Sequence, residues 1–170
     1  AYDSWWKERT PISHYKNLRC AVMVAGGWFD AEDLYGTLNT YRQLTRTMRA
    51  DSLFLIMGPW RHGGWNSEKN NSLGDITFSK DNLNEVFRTA ENAFFDHYLS
   101  DRKLPDSMPR AKVFFTGENR WADLSRWPLG DTTPHTLYLT GGGLLSSRLP
   151  DDNATPSTYT SNPARPVPYN

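Results

Sequence analysis

With 38% hydrophobic and 22% charged residues, the 170-residue chain has ordinary globular composition and room for one domain or two small ones. Its 19 Lys plus Arg balance 19 Asp plus Glu, so no basic field exists to hold a phosphate backbone, and nucleic acid is not an expected partner. No apolar run approaches the roughly 18 residues of a membrane span, and the opening AYDSWWKERT lacks the regions of a signal peptide, so neither is expected in these residues.

Residues 1–19 carry aromatic and charged side chains without clean periodicity and then Pro11, which predicts a short helix or loop feeding the first strand. Asp3 precedes Ser4-Trp5-Trp6 and suits a helix N-cap. The chain opens like the middle of a longer one, without an initiator Met and without a well-formed element before about residue 20.

Residues 21–25 form the first apolar run. It lacks alternation, the mark of a strand buried on both faces in a parallel sheet covered by helices. Cys20, the single cysteine, stands at its start where a small apolar residue belongs, and it rules out an intrachain disulfide. The run breaks at Gly26-Gly27 and delivers Asp30 just beyond its carboxyl end. Leu34, Leu38, Tyr41, Leu44 and Met48 then recur at helical spacing. That helix is expected to begin right after Asp30, with Asp30 as its cap and Glu32 and Asp33 favouring the positive end of its dipole. A second apolar run, 53–57, breaks at Gly58 and delivers His62. Strand, helix, strand makes a right-handed crossover with parallel strands, which puts Asp30 and His62 at the carboxyl rim where such sheets gather function.

Residues 58–81 are rich in Gly, Asn and Ser and lack periodicity, and a loop that long is usually functional or flexible. Residues 82–99 form the clearest helix. Leu83, Val86, Phe87, Ala90, Ala93, Phe94 and Tyr98 make its apolar stripe, Asp81 suits its N-cap, and His97 complements its carboxyl end. From Pro105 the character changes. Short β-type runs at 111–116 and 136–140 are separated by Gly117-Glu118-Asn119, Pro128-Leu129-Gly130-Asp131 and Gly141-Gly142-Gly143, the punctuation of antiparallel β structure. The last twenty residues, DDNATPSTYTSNPARPVPYN, are polar and Pro-rich, hence extended and unable to form a core. A domain boundary is expected between residues 99 and 109, and no internal repeat is evident.

The chemistry follows from the order acid, then histidine, on successive strand ends. This is the second half of the Ser, Asp, His order of α/β-hydrolases. The carboxylate would hold the imidazole tautomer while the imidazole takes and returns a proton. The nucleophile is missing: no serine sits in a G-x-S-x-G elbow, and Cys20 begins a strand at the opposite rim. Metal binding is not expected, because His14, His97 and His135 show no ligand spacing. Two other readings stay open. Asp30 can be a plain helix cap and His62 a solvated loop residue. Alternatively the β-rich half, with Trp121 and Trp127, presents an aromatic platform for sugar or peptide, with exposed tryptophans and no approach between Asp30 and His62. Trp28, Trp60 and Trp65 flank the two polar positions and either wall an apolar pocket or pack in a core.

The segments GGWFDAEDLYGTL and MGPWRHGGW resemble the acid and histidine motifs of the cocaine esterase and X-Pro dipeptidyl peptidase superfamily. The strongest likeness is to α-amino acid ester hydrolases and the related cephalosporin (glutaryl) acylases. YDSWW, AFFDHYL, TGENRW, LYLTGGGLLS and SNPARPVPY agree in the same order, so the resemblance spans essentially the whole chain.

The resemblance implies an α/β-hydrolase domain with a helical cap, followed by a jelly-roll β-domain. Residues 1–17 would be the end of the cap, 18–104 the last two parallel strands with their helices, and 109–170 the start of the jelly roll. Asp30 then matches the triad acid and His62 the triad base, with Trp28, Trp60 and Asp3 as candidates for the substrate pocket. Asp3 enters because relatives that prefer α-amino substrates hold the ammonium with acidic residues. The serine and its oxyanion tyrosine would lie upstream of residue 1. No cofactor is implied. The implied reaction is ester or amide cleavage through an acyl-enzyme, on α-amino acid esters, β-lactam acyl side chains or X-Pro dipeptides. The chain alone would be inactive, and its open sheet edges would favour association with itself or with the missing part. Relatives with signal peptides point to a periplasmic or secreted parent.

Overall fold

The two apolar runs lie side by side as parallel strands in the computed structural model, which describes residues 2–67, 71–79, 82–105, 108–151 and 155–166. β1 (Val22–Gly27) pairs with β2 (Leu53–Gly58) in register from Val22 opposite Leu53 to Gly27 opposite Gly58. Every residue of β2 is buried, and its alternate side chains enter two different cores. Leu53, Leu55 and Met57 pack with Tyr41 and Leu44 of α2 (Leu34–Leu44). Ile56 packs with Phe87, and Phe54 with Phe94, both on α3 (Leu83–Ser100). A helix on each face is why the run shows no polar alternation.

The approach to β1 is α1 (Ser4–Arg9) followed by a 3₁₀ helix over Pro11–Asn17. Cys20 is exposed in the bend before β1 rather than seated in the strand, because pairing with β2 begins only at Val22. α2 starts three residues later than expected, with Asp33 at its cap position, because the residues after Asp30 form a turn. The segment after β2 also holds more structure than its composition suggests. It contains a 3₁₀ turn at Gly64–Asn66 and a small antiparallel hairpin, β3 (Ser72–Leu73) with β4 (Ile76–Thr77). Phe78, just beyond it, is buried against Phe114 and Phe29. The N-cap of α3 is Asn82, whose side chain accepts from the Asn84 amide; Asp81 lies outside the described residues. His97 at the carboxyl end of α3 pairs with the Arg102 carbonyl at 2.6 Å.

The strand expected to open a separate β-domain instead joins this sheet. β5 (Ala111–Phe115) runs parallel to β2, with Leu55 opposite Ala111 and Met57 opposite Val113, and β6 (Arg120–Leu124) returns antiparallel to β5. The sheet order is β1-β2-β5-β6. The reason is physical: an apolar strand buried at every position must have its second row of N–H and C=O groups paired, and Ala111, Val113 and Phe114 are themselves buried there. The break into two compact units accordingly falls after Leu129 rather than between residues 99 and 109. The second unit, Gly130–Asn170, contains the hairpin of β7 (Tyr138–Thr140) and β8 (Leu144–Ser146). None of its described residues is buried. Among the described residues no helix is long and apolar enough to cross a membrane.

Candidate active site

Beyond β1 the chain crosses the end of β2 and is stitched to it by main-chain bonds. Trp28 N–H donates to Gly58 O at 2.9 Å, Phe29 N–H to Trp60 O at 3.1 Å, and Asp30 N–H back to Gly27 O at 3.2 Å. This crossing needs glycine. A Cβ on Gly27 would stand 2.0 Å from the Trp60 carbonyl oxygen, and one on Gly58 would stand 2.4 Å from the Trp60 ring. Gly27 is therefore the close-approach position that lets the two loops touch, and Gly58 makes room for the Trp60 ring.

That contact brings the acid to the base. Asp30 keeps a side chain only 2% exposed, and its Oδ2 lies 3.0 Å from Nδ1 of His62. Oδ1 accepts from the Glu32 and Asp33 amides, both at 2.9 Å, and lies 3.2 Å from the same Nδ1. Asp30 therefore caps the turn that precedes α2 rather than the helix, whose cap position is Asp33, and the same carboxylate has acceptor capacity left for His62. A carboxylate can only accept, so the network assigns the proton of neutral His62 to Nδ1 and leaves Nε2 with its lone pair. The imidazole is 56% exposed. Its Nε2 has the exposed Glu32 carboxylate 4.0 Å away.

The electrostatics follow from these contacts. Burial pushes the Asp30 carboxyl up, but the Asp33 and Glu32 amides and then His62 outweigh it, so its pKa ends below 3.8. The Asp30 hydrogen bond and charge, aided by Glu32, hold His62 above its ordinary 6.5 against a small opposing effect of burial. A fixed imidazole with a free Nε2 and a buried counter-charge can take a proton from a hydroxyl and hold it.

The aromatic candidates are placed differently. Trp60 has no exposed surface; its ring packs against Trp65, Phe87 and Trp121. It is core and offers no wall to a pocket. Trp28 is half-buried, donates from Nε1 to Phe114 O at 2.8 Å, and packs on Trp127. Asp3 spends its carboxylate on the amides of Trp5 and Trp6 at the start of α1. The alternative reading, an exposed sugar or peptide platform, does not fit the contacts of these rings. Trp121 packs among Trp60 and Phe114, and Trp127 between Trp28 and Phe115, while Asp30 and His62 meet. Among the described residues no three His, Cys, Asp or Glu side chains converge as metal ligands would.

Sequence reasoning missed Asn84, which is fully buried on α3 and hydrogen-bonds the turn that follows His62. The signal available was a second amide one residue past Leu83, inside the helix and at the start of an apolar stripe, after Asn82 had already supplied the cap.

Comparison with known proteins gives four likenesses. The family model of the X-Pro dipeptidyl-peptidases (S15 family) matches residues 1–64, which contain Asp30 and His62. Cocaine esterase of Rhodococcus sp. (strain MB1 Bresler) is 27% identical over 98% of this chain and 29% of its own length. The crystal structure of an aminopeptidase from a marine sediment archaeon, Thaumarchaeota archaeon, superposes with a TM-score of 0.82 at 31% identity, over 99% of this chain and 28% of that one. An α-amino acid ester hydrolase structure gives 0.79 at 34% identity, over 99% and 29%. The chain thus spans less than a third of the length of each of these relatives, all of them hydrolases by name.

Proposed function

We propose that this chain, which belongs to the X-Pro dipeptidyl-peptidase (S15) and cocaine esterase superfamily, supplies the acid and the base of a serine hydrolase whose nucleophile comes from polypeptide outside these residues. The observation that carries the reading is the buried Asp30 carboxylate 3.0 Å from Nδ1 of an imidazole that is more than half exposed. In the proposed cycle Nε2 of His62 takes the serine proton as the oxygen bonds to the acyl carbon, and Asp30 stabilises the imidazolium. His62 returns the proton to the departing alkoxide or amine, leaving an acyl-enzyme. Water then repeats the exchange, releasing the acid and restoring the serine.

Esters or amides such as α-amino acid esters, β-lactam acyl side chains or X-Pro dipeptides are the substrate classes we propose. The hairpin of β7 and β8 is proposed as the start of a jelly-roll β-domain, and the 170 residues alone as inactive. A serine-directed fluorophosphonate tests this. It is expected to label a full-length polypeptide that contains these residues and to leave the 170-residue chain untouched. Stoichiometric labelling of any serine within the 170 residues would contradict the assignment.

A further inference from the structure

α3 buries an amide side chain completely, at Asn84, where a helix that merely covers a sheet would place an apolar one. Its Nδ2 lies 2.9 Å from Gly64 O, 2.7 Å from Ser67 O and 3.0 Å from Ser67 Oγ. The two carbonyls fix the orientation of the amide, since a flipped Oδ1 would face acceptors. Oδ1 itself has no hydrogen-bond partner among the described residues, so as a packing element Asn84 is unfavourable, and what it contributes is its donors.

Those donors grip the turn Gly64–Asn66, which begins two residues after His62. The bend between them is tight. Gly63 takes a left-handed φ of 65°, and Gly64 N–H closes on Arg61 O at 2.9 Å. On the other side of His62, Trp60 is locked in the core. The exposed imidazole therefore sits on a short span clamped at both ends, by Trp60 before it and by Asn84 after it.

We propose that Asn84 is a positioning residue for His62, holding the Gly64–Asn66 turn so that Nδ1 stays within reach of the Asp30 carboxylate. The inference rests on the proposed role of His62 as the base. Asn84 touches no reacting atom; it acts through the main chain of residues 64 and 67.

The test is an NMR titration of the His62 imidazole in the protein, in Asn84→Leu, in Ser67→Ala and in Asp30→Asn, with circular dichroism to follow the helices. Leu fills the volume and favours helix, so α3 is expected to persist in Asn84→Leu. The His62 midpoint is expected to fall toward that of Asp30→Asn. Ser67→Ala, which removes one of the three contacts together with the bond from Ser67 Oγ to Gly64 O within the turn, should move it the same way. In the full-length enzyme, kcat of Asn84→Leu should fall about tenfold or more with KM little changed, because a loosened base loses alignment rather than substrate binding. An unchanged midpoint with helices intact overturns the inference and leaves the base assignment standing. If Asn84→Leu does not fold, the smaller Asn84→Ala, titrated in the same way, decides by the same criterion. A His62 that titrates at its ordinary value and ignores Asp30→Asn would overturn the base assignment, and this inference with it.

Discussion

His62 and Asp30, 32 residues apart in sequence, meet through Nδ1 and Oδ2 at 3.0 Å because each sits just past the end of one of two adjacent parallel strands. The pairing is asymmetric. The carboxylate is buried and held by two main-chain amides, whereas the imidazole reaches into solvent. The carboxylate is a fixed element of the fold, and the imidazole is the exposed partner.

That asymmetry sets the pH dependence of the proposed activity. A protonated imidazole cannot accept a proton, so kcat/KM should rise with pH as His62 deprotonates. Because Asp30 and then Glu32 hold its pKa above 6.5, the acid limb should lie above that value. Asp30→Asn should lower the limb, and Glu32→Gln should lower it less. Measurement of the pH–rate profile of the full-length enzyme and its variants checks this order.

Stability has its own pH window. Asp30 is depressed in the fold, so its contribution is present above about 3.8 and is lost as pH falls through the folded value. His62 is raised, so its contribution is full below 6.5 and is lost as pH rises through the folded value. Both act together only between those limits. Screening of the exposed imidazole makes the Asp30 limb the steeper one. Urea unfolding at stepped pH should show a decline on each side, the acid one flattened in Asp30→Asn and the alkaline one in His62→Ala.

Gly27 is the steric key of the site. Its missing Cβ leaves room for a main-chain oxygen that cannot rotate aside, so Gly27→Ala should destabilise the fold by about 2–3 kcal/mol or more. Gly117, where a Cβ would meet nothing within 4 Å, is the control, and Gly117→Ala should stay within about 0.5 kcal/mol of the parent. Thermal or urea unfolding of the two variants separates a packing effect from a generic glycine effect.

The outer edge of β1 has no strand beside it among the described residues, and an open edge invites pairing. The isolated chain should therefore self-associate or bind the remaining polypeptide supplied in trans. Light scattering should show mass rising with concentration; a monomer at high concentration would contradict this.

Much of the geometry was legible in the residues. Two unalternating apolar runs flanking a helical stripe dictate parallel strands, and the order Asp30 then His62 puts both groups at one rim. What escaped depended on partners distant in sequence. Residues 111–115 look like any short strand, and only the unpaired side of the fully buried β2 explains why they join it. Trp60 carries no mark telling core from pocket wall; its place follows from Phe87 and Trp121, far along the chain. Asn84 reads as an ordinary polar helix residue until the turn it grips is known. At Asp30 the cap and the contact to His62 look like alternatives in the sequence, yet one carboxylate bonds both the turn amides and the imidazole.

The central claim is tested most directly by turnover of an ester substrate in the full-length enzyme carrying His62→Ala or Asp30→Asn. His62→Ala should remove nearly all activity, and Asp30→Asn should leave a folded protein slowed by about 10⁴-fold. A His62→Ala enzyme that keeps its turnover would show that the imidazole beside Asp30 is not the base.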